Sequence, residues 1–175
     1  MKIYGKNIVL FFIVAFTLSY PSKLSAQKLF FLFAHGQYAA PVDSYFKHNY
    51  NYGAGVEGGA GIGTGRTFLV ATFGYTSFKS VSESSYGNTS YVPIKGGIRH
   101  YILVAKILFI QADAGVGIIK NEIVNSSRFS GDIGAGVTLG PFEIIVNYDG
   151  FSRTSAENTG YSSWIGIKAG MRIGL

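Results

Sequence analysis

Gly53-x-Gly55-x-x-Gly58 matches, letter for letter, the glycine fingerprint that lets a backbone approach a dinucleotide pyrophosphate. That chemistry needs a helix N-terminus directly after a strand. Here Tyr52, Ala54, Val56, Gly58, Ala60 and Ile62 alternate with Gly53, Gly55, Glu57, Gly59, Gly61 and Gly63, so the triplet lies inside a strand and the nucleotide reading fails. Gly65-Arg66-Thr67 is no phosphate loop either, because Ala60 stands where the first glycine is required and arginine replaces lysine. His35, His48 and His100 lie in three separate segments without ligand spacing, and there is no cysteine. Thiol catalysis and thiolate metal sites are excluded, and no metal or other cofactor is expected. A lipid-modifying enzyme would need a Ser and a His at one membrane interface. His100 falls close to a short turn and Ser130 opens a strand at the loop end, so their heights disagree.

The charged residues are the more informative constellation. Of nine acids, Asp43, Glu83, Glu122 and Glu157 fall in polar connections, whereas Glu57, Asp113, Asp132, Glu143 and Asp149 fall on the polar side of alternating segments. Lys95, Arg99, Lys168 and Arg172 fall on that same side. Carboxylates in such numbers can serve as an acid pair or hold a cation. Interleaved with bases around a closed sheet, they read as a structural charge network in which each acid has a basic partner across a narrow interior, since an unpaired buried charge is costly.

The elements that would carry this network repeat along the chain. Alternation of period two marks strands at Leu29 to Ala39, Tyr52 to Gly63, Leu69 to Thr76, Val92 to Arg99, Leu108 to Ile118, Phe129 to Leu139, Phe142 to Asp149 and Trp164 to Leu175. No convincing helical stripe follows Ala26. Short turns at Gly63 to Arg66, Leu103 to Lys106 and Gly140-Pro141 alternate with longer loops at Ala40 to Asn51, Ser80 to Ser90, Lys120 to Ser127 and Ser152 to Gly160. This predicts an all-β fold: an eight-stranded antiparallel up-and-down transmembrane β-barrel with a polar, side-chain-filled interior.

Alternation alone leaves two barrels open, because a soluble lipocalin-like binder has the same period with the faces inverted. Five acids and four bases separated by glycines suit a crowded lumen better than a wetted exterior, so the apolar set is placed outward. In hydrocarbon every backbone polar group must be satisfied, which closure achieves. Eight strands enclose only enough room for side chains, so no wide pore is expected. Tyr38, Tyr52, Tyr75 and Tyr148 are candidates for an outer aromatic girdle and Phe142 for the opposite one. In the first strand the even set, Phe30, Leu32, Ala34 and Tyr38, is assigned outward, leaving His35 and Gln37 inside. Pro93 interrupts a strand that has no free edge and is placed near the loop-side rim.

The chain has 175 residues, 47% hydrophobic and 14% charged, a composition for one packed domain. Its 24 glycines are about twice the usual share. Lys2 and Lys6, the apolar run Ile8 to Leu18 and the end Leu24-Ser25-Ala26 read as a secretory signal peptide over residues 1–26, cleaved after Ala26. The run is too short for the ~20 residues of a spanning helix. Residues 27–175 then form the barrel domain. Loss of Lys2, Lys6 and Lys23 from fifteen basic residues leaves twelve against nine acids, a net +3 that is little reason to expect nucleic acid.

With its glycine-rich strands, the chain resembles the OmpX/OmpA-type outer-membrane barrels, and through "YVPIKGGIRHYI" and "FIQADAGVGI" it is similar to the PorT-like outer-membrane β-barrel domain family. The last strand, with Lys168, Gly170, Ile173 and Leu175, resembles the C-terminal assembly signal of such barrels, although Ile173 and Leu175 stand where aromatics are more usual. The resemblance implies a bacterial outer-membrane protein, surrounded by outer-membrane lipid and delivered by periplasmic chaperones to the barrel-assembly machinery. The functional expectation is a non-enzymatic barrel that stabilises the envelope or contacts other surfaces through its loops, with Tyr45, Phe46, Lys47, His48 and Tyr50 as contact candidates. The alternatives are a soluble exported binder of an apolar ligand and a lipid-modifying barrel enzyme.

Overall fold

The computed structural model describes residues 29–82, 87–102, 106–121, 123–154 and 159–174. The expected signal peptide, the loop acids Glu83, Glu122 and Glu157, and Leu175 lie outside the described residues. The chain runs β1 (Phe30–Pro41), α1 (Ser44–Asn49), β2 (Tyr50–Thr64), β3 (Thr67–Ser80), β4 (Thr89–Tyr101), β5 (Leu108–Lys120), β6 (Asn125–Leu139), β7 (Phe142–Ser152) and β8 (Tyr161–Gly174). Each strand pairs antiparallel with its neighbours and β8 closes on β1.

The register fixes the barrel's shape. Paired residues lead from Phe31 through Gly61, Val70, Gly97, Asp113, Asp132, Asp149 and Trp164 back to β1 at Pro41, ten residues above the start. With ~4.8 Å between strands and ~3.3 Å per residue, that offset over eight strands tilts them by roughly 40°. Every residue on this path faces inward.

Outside, the surface is apolar without interruption. Leu32, Val56, Leu69, Phe73, Ile94, Ile110, Val116, Phe129, Ile133, Ile144, Val146 and Ile167 are all exposed. Polar outward residues are confined to the two ends, with Thr64, Thr67 and His100 by the turns and Ser77, Lys79, Ser90 and Lys120 by the loops. In β1 the even set points outward, as Leu32, Ala34 and Tyr38 are exposed while Phe31, Phe33 and His35 are buried. The faces are therefore those of an apolar-out barrel, the inverse of a lipocalin.

Three local features differ from the expected outline. The first loop contains helix α1, started by Asp43, whose carboxylate accepts the Phe46 N–H at 3.0 Å. The β5–β6 connection is only Asn121 to Val124, because the Asn121 side chain accepts the backbone N–H of Ile123 at 2.9 Å and of Val124 at 2.6 Å. This Asx turn lets β6 begin at Asn125, where the sequence suggests a loop to Ser127. Pro93 is the fifth residue of β4, deeper than the rim. It pairs with Gly117 of β5, and the β3–β4 ladder lacks its pairs at Gly74 and Tyr75, so the missing N–H is lost on the β3 side. At the tight turns Gly65 and Gly140 take φ of 64° and 62°, a region in which other residues are strained.

Candidate functional site

Alternation delivers one side chain in two to the axis, and the lumen they fill is built in three tiers. At the turn end Phe31, Phe33, Phe68, Tyr101 and Phe109 form an aromatic layer around Arg99, which is fully buried. The guanidinium lies 5.0, 5.1 and 4.3 Å from the Phe31, Phe33 and Phe109 rings. It donates to Glu143 at 2.9 and 3.0 Å and to Gln111 at 2.7 Å. Arg172 closes the layer, with Nε 3.3 Å from Glu143 and Nη1 donating to Tyr101 Oη at 2.6 Å.

The middle tier is ionic. Lys168 Nζ lies 2.8 Å from Glu57 and 3.0 Å from Asp132; Lys95 Nζ lies 2.9 Å from Asp149 and 3.6 Å from Asp132. His35 Nε2 is 3.2 Å from Glu143, joining this tier to the one below. Asp113, Asp132 and Asp149 occupy register-paired positions on β5, β6 and β7. Like charges side by side on a sheet repel. Lys95 and Lys168, reaching in from β4 and β8, supply the balancing charge. The tier can hold these strands in one register.

One acid departs from the expected pairing. Among the described residues Asp113 has no cationic partner; it accepts a hydrogen bond from Gln111 Nε2 at 2.6 Å. The nearby Arg99 already binds Glu143 and reaches Asp113 only through Gln111. Opposite Asp113 stands Gly97, which carries no side chain to offer, and a Cβ there would lie 2.1 Å from Asp113 Oδ1.

The loop-end tier is aromatic again. Phe46 of α1 turns into the barrel, its ring 4.7 Å from Tyr50, 4.9 Å from Phe78 and 5.7 Å from both Phe151 and Trp164. Tyr91 packs on Trp164, and its hydroxyl hydrogen-bonds Ser130. Arg153 ties the first and last loops together, donating to Asp43 at 2.6 Å and lying 4.8 Å over the Tyr45 ring. This corrects the loop-contact candidates. Phe46 and Tyr50 are buried and plug the mouth, because one helical turn after the Asp43 cap directs residue 46 inward; Lys47 and His48 are exposed and Tyr45 is half-buried. The sequence reading places Phe46 at the loop surface and gives Phe78 and Gln111 no part in the lumen packing or its hydrogen bonds. The inward parity of Phe78 and Gln111 was the available signal, while Phe46 had none.

The remaining motifs fall as follows. Gly53, Gly55 and Gly58 lie within β2, far from any helix start. His100 bonds Thr67 at the turn end, whereas Ser130 faces the lumen near the loop end, so the two do not meet. Lys168 and Gly170 face the lumen and Ile173 faces outward. Tyr38, Tyr52, Tyr75 and Tyr148 are exposed toward the loop end, Phe142 at the turn end.

A closed eight-stranded antiparallel barrel with an ionic interior and an apolar exterior narrows the choice of architecture. The fold is that of the small outer-membrane barrels. The crystal structure of neisserial surface protein A superposes with a TM-score of 0.60 at 13% identity, covering 83% of this chain and 97% of that one. The crystal structure of Ail, the attachment invasion locus protein of Yersinia pestis, gives 0.56 at 14% identity over 84% and 100%. A de novo designed transmembrane β-barrel gives 0.50 at 13% over 86% and 100%. No protein-family model and no curated protein sequence matches the chain. At such identities the likeness is one of fold.

Proposed function

We propose that this chain is an integral bacterial outer-membrane barrel, non-enzymatic and without a wide pore, which serves the envelope through its rigid wall and its loop-end surface. The single observation that carries the reading is the joint placement of charge and grease. Glu57, Lys95, Arg99, Asp113, Asp132, Glu143, Asp149, Lys168 and Arg172 all face the axis, and the outward-facing Lys79 and Lys120 stand at the loop end of their strands, so the outer belt between the two polar ends carries no charged residue. An apolar surface of that extent is unsustainable in water, and a closed sheet leaves no unsatisfied backbone in lipid. The ions act as a structural network that fixes the strands.

Two tiers of packed aromatics above and below the ions support the absence of a pore, and the separation of His100 from Ser130 supports a non-enzymatic role. Ail, similar in fold, forms a complex with the heparin analogue sucrose octasulfate. That likeness lends support to a surface-contact role, for which Lys47 and His48 are the exposed candidates in the first loop. The C-terminal pattern Lys168, Gly170, Ile173, Leu175 serves as the assembly signal read by the barrel-assembly machinery after export through residues 1–26 and chaperone delivery.

The deciding experiment is expression with the native N-terminus followed by fractionation. The barrel should sediment with outer membranes, require detergent for release and migrate faster on gels when unheated. Release as a soluble periplasmic protein would refute the proposal. Unequal lipid A mass spectra between wild-type and deletion cells would instead point to an enzyme.

A further inference from the structure

The outer face of β1 to β3 carries a groove of about 430 Å³ with Ala34, Gly36 and Gly58 as its floor and Val56, Phe73 and Tyr75 as its wall. Register places Gly36 beside Val56 and Val56 beside Tyr75; one rung lower, Ala34 lies beside Gly58 and Gly58 beside Phe73. The two rungs make a continuous trough along the strands.

Packing within the chain does not require these glycines. A Cβ at Gly36 would meet nothing nearer than Ala169 O at 3.9 Å, and one at Gly58 nothing nearer than Phe33 O at 3.5 Å, both ordinary contact distances. Neither has positive φ. Glycine inside a strand weakens it and often marks a place where something approaches the backbone closely. On this outward face nothing of the chain itself does so.

Beyond the trough, two outward rungs toward the loop end from Val56 and Tyr75, the same face becomes polar. Tyr38 and Tyr52 stack there with ring centroids 6.0 Å apart. Lys79, exposed and outward, is the register partner of Tyr52. Among the described residues it has no carboxylate partner. An apolar trough with one unpaired cation two rungs beyond it toward the loop end complements an amphiphile with an anionic head and a hydrocarbon tail. Loops of small outer-membrane barrels lie on the extracellular side, which places Lys79 at the outer leaflet.

We propose that this groove binds one phosphate-bearing lipid of the outer leaflet, its phosphate on Lys79 and an acyl chain laid along Gly36 and Gly58. The inference rests on the membrane reading above. A second copy of the barrel is the competing occupant, but a two-fold contact through this self-same face would bring Lys79 toward its own mate, and like charges oppose that pairing.

The test uses the full chain expressed in outer membranes, extracted in mild detergent and weighed by native mass spectrometry, with bound phosphorus quantified. Wild type should retain one phosphorylated lipid per barrel. Gly58→Leu, Gly36→Leu and Lys79→Ala should each reduce retention by about ten-fold, roughly the effect of losing one charge-assisted contact or its apolar counterpart. Ala135→Leu, outward on β6, should retain it. Heat-modifiable migration identifies the folded variants, and either leucine variant suffices for the groove arm. Undiminished retention in folded variants overturns the inference and leaves the membrane reading intact. Wild-type dimers that Gly58→Leu dissociates overturn it in favour of a second copy. A wild-type chain found soluble overturns both readings.

Discussion

Lys168 on β8 reaches Glu57 on β2 at 2.8 Å, bridging the strand between them and spanning the seam where the two ends of the sheet meet. Both side chains are buried. Removal of one member of a buried pair leaves an uncompensated charge, so Lys168→Met should cost about 3–5 kcal/mol. Glu57→Gln combined with Lys168→Met should return part of that loss. Urea unfolding in lipid vesicles and a double-mutant cycle measure the coupling, and strict additivity would show that the two groups act independently.

Val116 and Ile133 lie in the apolar belt of the outer face and are both exposed. Arginine at either should impair insertion by roughly 2–4 kcal/mol, the cost of a charge near the bilayer midplane. Thr72→Ser and Thr138→Ser in the lumen should change little, since each keeps its hydroxyl, including the one that Thr138 donates to Glu143 at 3.2 Å. Equal damage from both sets in a refolding assay would show that the face assignment is wrong.

Phe46 seals the loop end from α1. Phe46→Ala should open the mouth without dissolving the barrel, because the strands below are held by their own ladder. A cysteine placed at Ser130, beneath Tyr91, should then react faster with a membrane-impermeant maleimide added from outside. Asp43→Ala removes both the cap and the Arg153 contact, and should act in the same direction while destabilising α1 by about 1 kcal/mol. Unchanged labelling in both variants would mean that other residues close the mouth.

Gly97 has no room for a side chain, as a Cβ would lie 2.1 Å from Ala112 O as well as from Asp113 Oδ1. Gly97→Ala should therefore cost about 1–3 kcal/mol by overpacking, seen as a smaller heat-modifiable fraction. Gly97→Ala with Asp113→Ala should remain impaired, since the backbone contact persists.

Strand count, the inward or outward sense of most residues and the site of the ions were legible in the sequence. The reason is that a period of two is a one-dimensional property: Lys95 and Lys168 each stand between apolar or small neighbours, and a charge cannot face hydrocarbon cheaply. Even Phe109 and Trp164, apolar residues on the polar side, could be placed inside by parity. Which ion meets which is a different kind of fact. Lys168 and Glu57 are far apart in sequence, and their meeting depends on the ten-residue offset that accumulates around the closed sheet. That offset also ranks Asp113, Asp132 and Asp149 side by side and leaves Asp113 to an amide. Phe46 escaped parity altogether, because a single helical turn follows a period that a six-residue segment is too short to display. Alternation determined the faces; closure, which couples every register to every other, decided the partners.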